Sequence, residues 1–117
     1  MRTGVDIVDV SRFANMSQNI LEGMFTAKEI EYCFKFRECA EHFAGCFAAK
    51  EAVMKALGAG IDKIPVRSIE VLHEDSGRPF VVLDGEAKKL FKKLKLKQID
   101  ISISHTSTLA TAFAIGM

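Results

Sequence analysis

The chain has 117 residues, 49% of them hydrophobic and 26% charged, with a formal net charge of +1. That size and balance describe one ordinary globular domain over 1–117, long enough to bury its own core. The charge gives no overall pull towards nucleic acid or anionic lipid, and no apolar run approaches the ~20 residues needed to span a bilayer.

The opening stretch, MRTGVDIVDV, passes straight into an alternating pattern with no basic leader and cleavage site, which points to a soluble, cytoplasmic protein. Residues 3–8 read as a strand, with Val5 and Ile7 on one side and Gly4, Asp6 and Val8 on the other. Aspartate is depleted in strands, so Asp6 is a carboxylate in apolar company. A short helix is expected from Ser11 or Asp9, either being an acceptable N-cap. TAKE at 26–29 is a capping box, with Thr26 as N-cap, Glu29 at the third position, and Phe25 and Ile30 placed as its hydrophobic staple. It predicts a helix from 27 to about 36.

A long helix is expected from near Cys39 to a Gly58 cap. Phe43, Phe47, Met54 and Leu57 mark one face and Ala49, Ala52, Val53 and Ala56 the other, so the helix reads as buried all round. Glu51 sits inside it, and Lys55 lies one turn further on. One reading is an exposed i, i+4 ion pair worth roughly 0.2–0.5 kcal/mol. The other is a buried carboxylate that needs a partner or a metal ion, with the neighbouring alanines leaving room for a ligand. Cys33, Cys39 and Cys46 are odd in number and lack CxxC spacing; with His42 they make four imaginable ligands, but free thiols in a reducing compartment are the simpler reading.

GAGIDKIP is loop, and a weak phosphate-loop match because it follows a helix. Residues 67–73 and FVVL at 80–83 form a hairpin around EDSGRP. Asp84 caps a helix with a core stripe of Ala87, Leu90, Phe91 and Leu94. Its other face carries Lys88, Lys89, Lys92, Lys93, Lys95 and Lys97 and is read as solvated rather than as a membrane or nucleic-acid surface. Residues 99–105 alternate, Ile99, Ile101 and Ile103 against Asp100, Ser102 and Ser104. HTST turns into a last strand over 109–115. Ser104 and His105 diverge on that strand and make no nucleophile–base pair. Hydroxyls flanking the His105 imidazole suit a phosphate. The order β-α-α-α-β-β-α-β-β describes an α+β domain, a small antiparallel sheet packed with one long buried helix and shorter ones.

Three segments in this order, GVDIVDVSR at 4–12, FAGCFAAKEAVMKALGAGI at 43–61 and ISISHT at 101–106, resemble the short bacterial class of 4′-phosphopantetheinyl transferases, the holo-[acyl-carrier-protein] synthases. SGRP at 76–79 fits the Gly-Lys/Arg-Pro turn between them. The resemblance implies transfer of phosphopantetheine from coenzyme A to a serine of apo acyl carrier protein in fatty acid biosynthesis, releasing adenosine 3′,5′-bisphosphate. It also implies Mg²⁺ dependence and a homotrimer with active sites at subunit boundaries. By motif match Asp6 and Glu51 take the metal-ligand positions. Lys50 and Lys55 match the helix lysines, and His105 with Thr106 matches the region that meets the coenzyme's phosphates. Asp6, Glu51 and Lys55 are the expected catalytic group, Lys55 at the leaving phosphate. Lys50 lies about 100° round the helix from Glu51.

Two departures stand out. Cys46 replaces an arginine that precedes FAAKEA in the family, leaving Arg37, Arg67 or another cation to substitute. The segment SRFANMSQNILEGMF offers only Arg12, with Met16, where the family docks its acidic carrier on a basic helix; the lysine-rich helix or a neighbouring subunit is the alternative docking surface. A non-catalytic module that binds coenzyme A or the carrier is the competing class.

Overall fold

The computed structural model describes all 117 residues. Strand β1 (Arg2–Asp9) runs into a 3-10 turn at Val10–Phe13, followed by α1 (Gln18–Met24), α2 (Ala27–Phe34) and the long α3 (Cys39–Leu57). A second 3-10 turn, Val66–Ser68, leads to the hairpin β2 (Ile69–His73) and β3 (Pro79–Leu83). Helix α4 (Gly85–Lys93) and strands β4 (Ile99–His105) and β5 (Leu109–Gly116) complete the chain. The element order and the α+β class agree with the sequence pattern.

Two separate antiparallel sheets form, a three-stranded one in the order β1-β5-β4 and the two-stranded β2-β3. Helix α3 lies across the first. Its alanines are the reason it can: Ala44, Ala48, Ala49 and Ala52 have no exposure. Ala110, Ala112 and Ala114 of β5 are buried from the sheet side. A Cβ on Gly4 would overlap the Ala52 carbonyl oxygen and stand 2.8 Å from the Ala56 nitrogen. The small residues therefore bring helix and sheet backbones together. This corrects the expectation that they make room for a ligand.

The opposite side of α3 meets aromatic rings. Phe13 lies 5.6 Å from Phe47, and Phe25 lies 5.0 Å from Phe43, centroid to centroid. Each such burial contributes roughly 1.5–3 kcal/mol. Both faces thus find a partner, which explains a helix without a polar side. Gly58 closes it at φ +75°, a left-handed conformation that favours glycine.

Helix starts differ in detail from the sequence reading. No α-helix begins at Asp9 or Ser11; a 3-10 turn forms there, and α1 is capped by Ser17, which accepts from the Ile20 N–H. The Thr26–Glu29 capping box is present as expected, and α2 ends two residues early at Phe34. Asp84 holds the N-cap position of α4 without a side-chain hydrogen bond. The six lysines at 88, 89, 92, 93, 95 and 97 are exposed. No helix is long and apolar enough to cross a membrane.

Candidate active site

Strand β1 alternates, so Asp6 shares the α3-facing side with Gly4 and Val8 while Val5 and Ile7 point outward. Because Gly4 docks against Ala52 and Ala56, Asp6 is carried to the flank of α3 that bears Glu51 and Lys55. Lys55 Nζ donates to Asp6 Oδ1 at 3.1 Å and to the Val5 carbonyl at 2.9 Å. It makes no ion pair with Glu51, so the i, i+4 pair of the sequence reading does not form; Lys55 reaches across to the strand instead.

Asp6 Oδ2 is buried and has no hydrogen-bond partner. The Glu51 carboxyl is held above its ordinary value, first by burial and next by the Asp6 charge, against the opposing pull of Lys55 and Arg12. Two carboxylates that repel each other, one with an orphaned oxygen, suit a divalent cation. No group of three or more His, Cys, Asp or Glu side chains is placed to hold a metal by itself. A hard cation that takes one or two carboxylates and completes its shell with substrate phosphate and water fits this donor set.

Arg12 stands over the rings of Phe47 at 5.1 Å and Phe13 at 5.6 Å, close enough to Glu51 to stabilise its charge. Sequence reasoning connected Arg12 only with carrier docking. Nothing local in VSRF indicates a neighbour so far along the chain.

Lys50 must be removed from the coenzyme-binding group. It has no exposure, and its ammonium is taken by Glu29 Oε1 at 2.8 Å and the carbonyls of Ile69 and Val66 at 2.6 and 3.2 Å. Three acceptors use all three of its donors, leaving none for a ligand. Glu29 is equally committed. Its Oε1 also accepts the Thr26 N–H, while Oε2 accepts the Val71 N–H at 2.7 Å and the Cys46 thiol at 3.4 Å. The pair ties α2, α3 and β2 together.

Cys46 is buried, and its thiol is pushed well above its ordinary value, first by burial and next by Glu29. It lines a cleft of about 170 Å³ with Tyr32, His42, His73 and His105. Neither Arg37 nor Arg67 lines that cleft, and Arg67 borders a groove beside α1 and α2. Thr106 does not line it either. Its hydroxyl accepts the Thr108 and Leu109 N–H groups at 3.2 and 3.1 Å and so holds the β4–β5 turn. His105 alone of the two reaches the cleft, with Nδ1 3.0 Å from Glu41 Oε1.

A helix–sheet domain with paired carboxylates at its junction belongs to a known class. The profile of the 4′-phosphopantetheinyl transferase superfamily matches residues 2–114, and the chain belongs to that family. It is 42% identical to the holo-[acyl-carrier-protein] synthases of Thermoanaerobacter sp. (strain X514) and Geotalea daltonii, covering 97% of this chain and 85% and 94% of theirs. The Helicobacter pylori holo-[acyl-carrier-protein] synthase in complex with coenzyme A superposes with a TM-score of 0.84 at 28% identity, over 98% of this chain and 99% of that one. The Bacillus anthracis synthase in complex with CoA (3′,5′-ADP) gives 0.80 at 30%, over 98% and 94%.

Proposed function

We propose that this chain transfers the 4′-phosphopantetheine group of coenzyme A to a serine hydroxyl of apo acyl carrier protein, releasing adenosine 3′,5′-bisphosphate. The observation that carries the reading is the meeting of Asp6, Glu51 and Lys55 at the β1–α3 junction of a chain whose relatives bear this activity by name. Asp6 and Glu51 would hold Mg²⁺, and the cation would supply positive charge against the pyrophosphate oxygens.

The carrier serine oxygen attacks the phosphorus bearing the pantetheine arm. The bond from that phosphorus to the bridging oxygen breaks, and negative charge collects on the departing nucleotide phosphate. The Lys55 ammonium, held at the site by the Val5 carbonyl and Asp6, can donate to that phosphate as its charge develops. The serine proton leaves to a carboxylate or to water. Arg12, like Lys55, favours the ionised form of Glu51 against the opposing effects of burial and the Asp6 charge, and a metal ion would add to that pull.

The active unit in this reading is a homotrimer in the cytoplasm. Val5, Ile7, Leu109 and Phe113 form an exposed apolar face on β1 and β5, with Val5 paired to Phe113 and all four at least 40% exposed. A face of that kind supports association.

Incubation with apo carrier protein, coenzyme A and Mg²⁺, followed by mass spectrometry of the carrier, tests the reading. The carrier should gain one phosphopantetheine. Binding of coenzyme A without that gain, under conditions where a competent transferase succeeds, would establish a non-catalytic module instead.

A further inference from the structure

Lys55 joins two elements. It stands in the last turn of α3, yet its ammonium donates across to β1, to the Val5 carbonyl at 2.9 Å and to Asp6 Oδ1 at 3.1 Å. Strand β1 is an edge of its sheet, bonded to β5 alone, so it has main-chain acceptors to offer a side chain. The Asp6 side chain is 15% exposed and that of Lys55 54%. The pair is therefore unequal: the acid is fixed between strand and helix, and the ammonium ends a long, open and adjustable stem. Lys50, the other lysine of this helix, uses all three of its donors, whereas Lys55 uses two and keeps one for a further acceptor.

The choice of partner has a chemical consequence. Glu51 stands four residues before Lys55, and an ordinary helix pair between them would leave Asp6 alone. Lys55 instead takes one oxygen of Asp6, whose other oxygen is the buried, orphaned Oδ2. The second positive group at this junction, Arg12, lies over the Phe13 and Phe47 rings and makes no ion pair with Asp6. Lys55 is thus the cation that neutralises Asp6. An ammonium there opposes a divalent cation on the same carboxylate, both by charge repulsion and by using one of its oxygens. In the proposed reaction the same ammonium also serves the departing phosphate. It cannot serve both acceptors fully from one position.

We propose that Lys55 is a built-in competitor of the divalent cation at Asp6, surrendered to the pyrophosphate of coenzyme A when the cation binds. The proposal rests on the reading of Asp6 and Glu51 as the cation site. The cation weakens the hold of Asp6 on the ammonium, and the pyrophosphate receives it. Each ligand removes an obstacle to the other, so the two bind with positive coupling and the protein alone holds the cation weakly.

The test uses Mn²⁺ as probe, a cation with the same preference for oxygen ligands as Mg²⁺. Free Mn²⁺ is followed by electron paramagnetic resonance as it is titrated into the intact protein without carrier. Lys55→Met should bind Mn²⁺ alone roughly three- to tenfold more tightly than the parent, a moderate factor because the ammonium is half exposed and screened. Lys55→Gln, which keeps a donor for the Val5 carbonyl without the charge, should tighten in the same direction. Saturating coenzyme A should then improve Mn²⁺ affinity by a larger factor in the parent than in either variant. Labelling of the parent with an amine-specific reagent needs no variant to fold: with the exposed lysines of α4 as internal standard, Lys55 should react faster once Mg²⁺ is added. Equal or weaker Mn²⁺ affinity in the variants, equal coupling to coenzyme A, or a labelling ratio unmoved by Mg²⁺ overturns the competition. A parent whose Mn²⁺ binding is absent, or is unaffected by Glu51→Gln, overturns the cation-site reading itself.

Discussion

Lys50 and Glu29 form a 2.8 Å ion pair in which neither side chain has any exposure. Removing one member leaves the other charged in a dry interior, a loss of about 3–5 kcal/mol. Lys50→Met should therefore lower the thermal midpoint steeply, or prevent soluble expression. Glu29→Gln combined with Lys50→Met keeps an acceptor for the Val71 N–H and should recover part of the loss. Wild-type stability in the single variant would show that the pair is not closed to water.

Glu51 couples stability to pH in a direction opposite to the usual carboxylate. Its folded value is raised, so the folded state holds the proton more firmly than the unfolded chain. The stability it contributes is complete below the ordinary value of 4.5 and is lost as pH rises through the raised one. Without Mg²⁺, Glu51→Gln should melt at a higher temperature than the parent at pH 7–8, and the difference should close towards pH 4. The same change should cut carrier modification about 100-fold or more. Calorimetry across pH, paired with the mass assay, separates the two effects; a variant that is both unstabilised and active refutes them together.

Gly4→Ala places a methyl group into the Ala52 carbonyl. The obstruction is backbone, so no side chain can swing aside. Overpacking of this kind costs about 1–3 kcal/mol or more. Because Asp6 follows two residues later on the same strand, activity should fall further than the fraction unfolded predicts. Urea denaturation and turnover on one preparation measure both, and equal losses would show that the strand shift does not reach the site.

Val5 and Phe113 are cross-strand partners on the exposed apolar face. Replacing both by glutamate sets like charges opposite each other, where a few tenths to about 1 kcal/mol is lost within the chain. Apposed copies should separate. Sedimentation should report a folded monomer with little transfer activity. An unchanged assembly, or a monomer with full turnover, contradicts the trimer reading.

The sequence makes local structure legible to different degrees. The Thr26–Glu29 box and the Gly58 cap are written in neighbouring residues, and both form. The alternation in 3–8 puts Gly4, Asp6 and Val8 on one side correctly. What it leaves open is which side faces the helix, since Val5 and Ile7 look like core and are exposed. Lys50 illustrates the deeper limit. Its partner Glu29 lies 21 positions earlier, already explained by a capping box, so the pattern gives no sign of a second duty. His42, His73 and His105 have no spacing rule at all; three elements must fold before they share a cleft. The alanines around Glu51 carry a true signal, close approach, which reads as space only when the sheet is absent from view.

The intimacy of Gly4 with Ala52 and Ala56 also bears on how such an enzyme tolerates change. The two acidic groups are anchored to main chains in direct apposition, so the gap between them is governed by backbone docking and not by adjustable side-chain stems. Substitutions at 4, 52 or 56, remote from any reacting atom, would retune the span offered to a cation. They belong among the first positions to watch when catalytic properties drift without a change at the acids themselves.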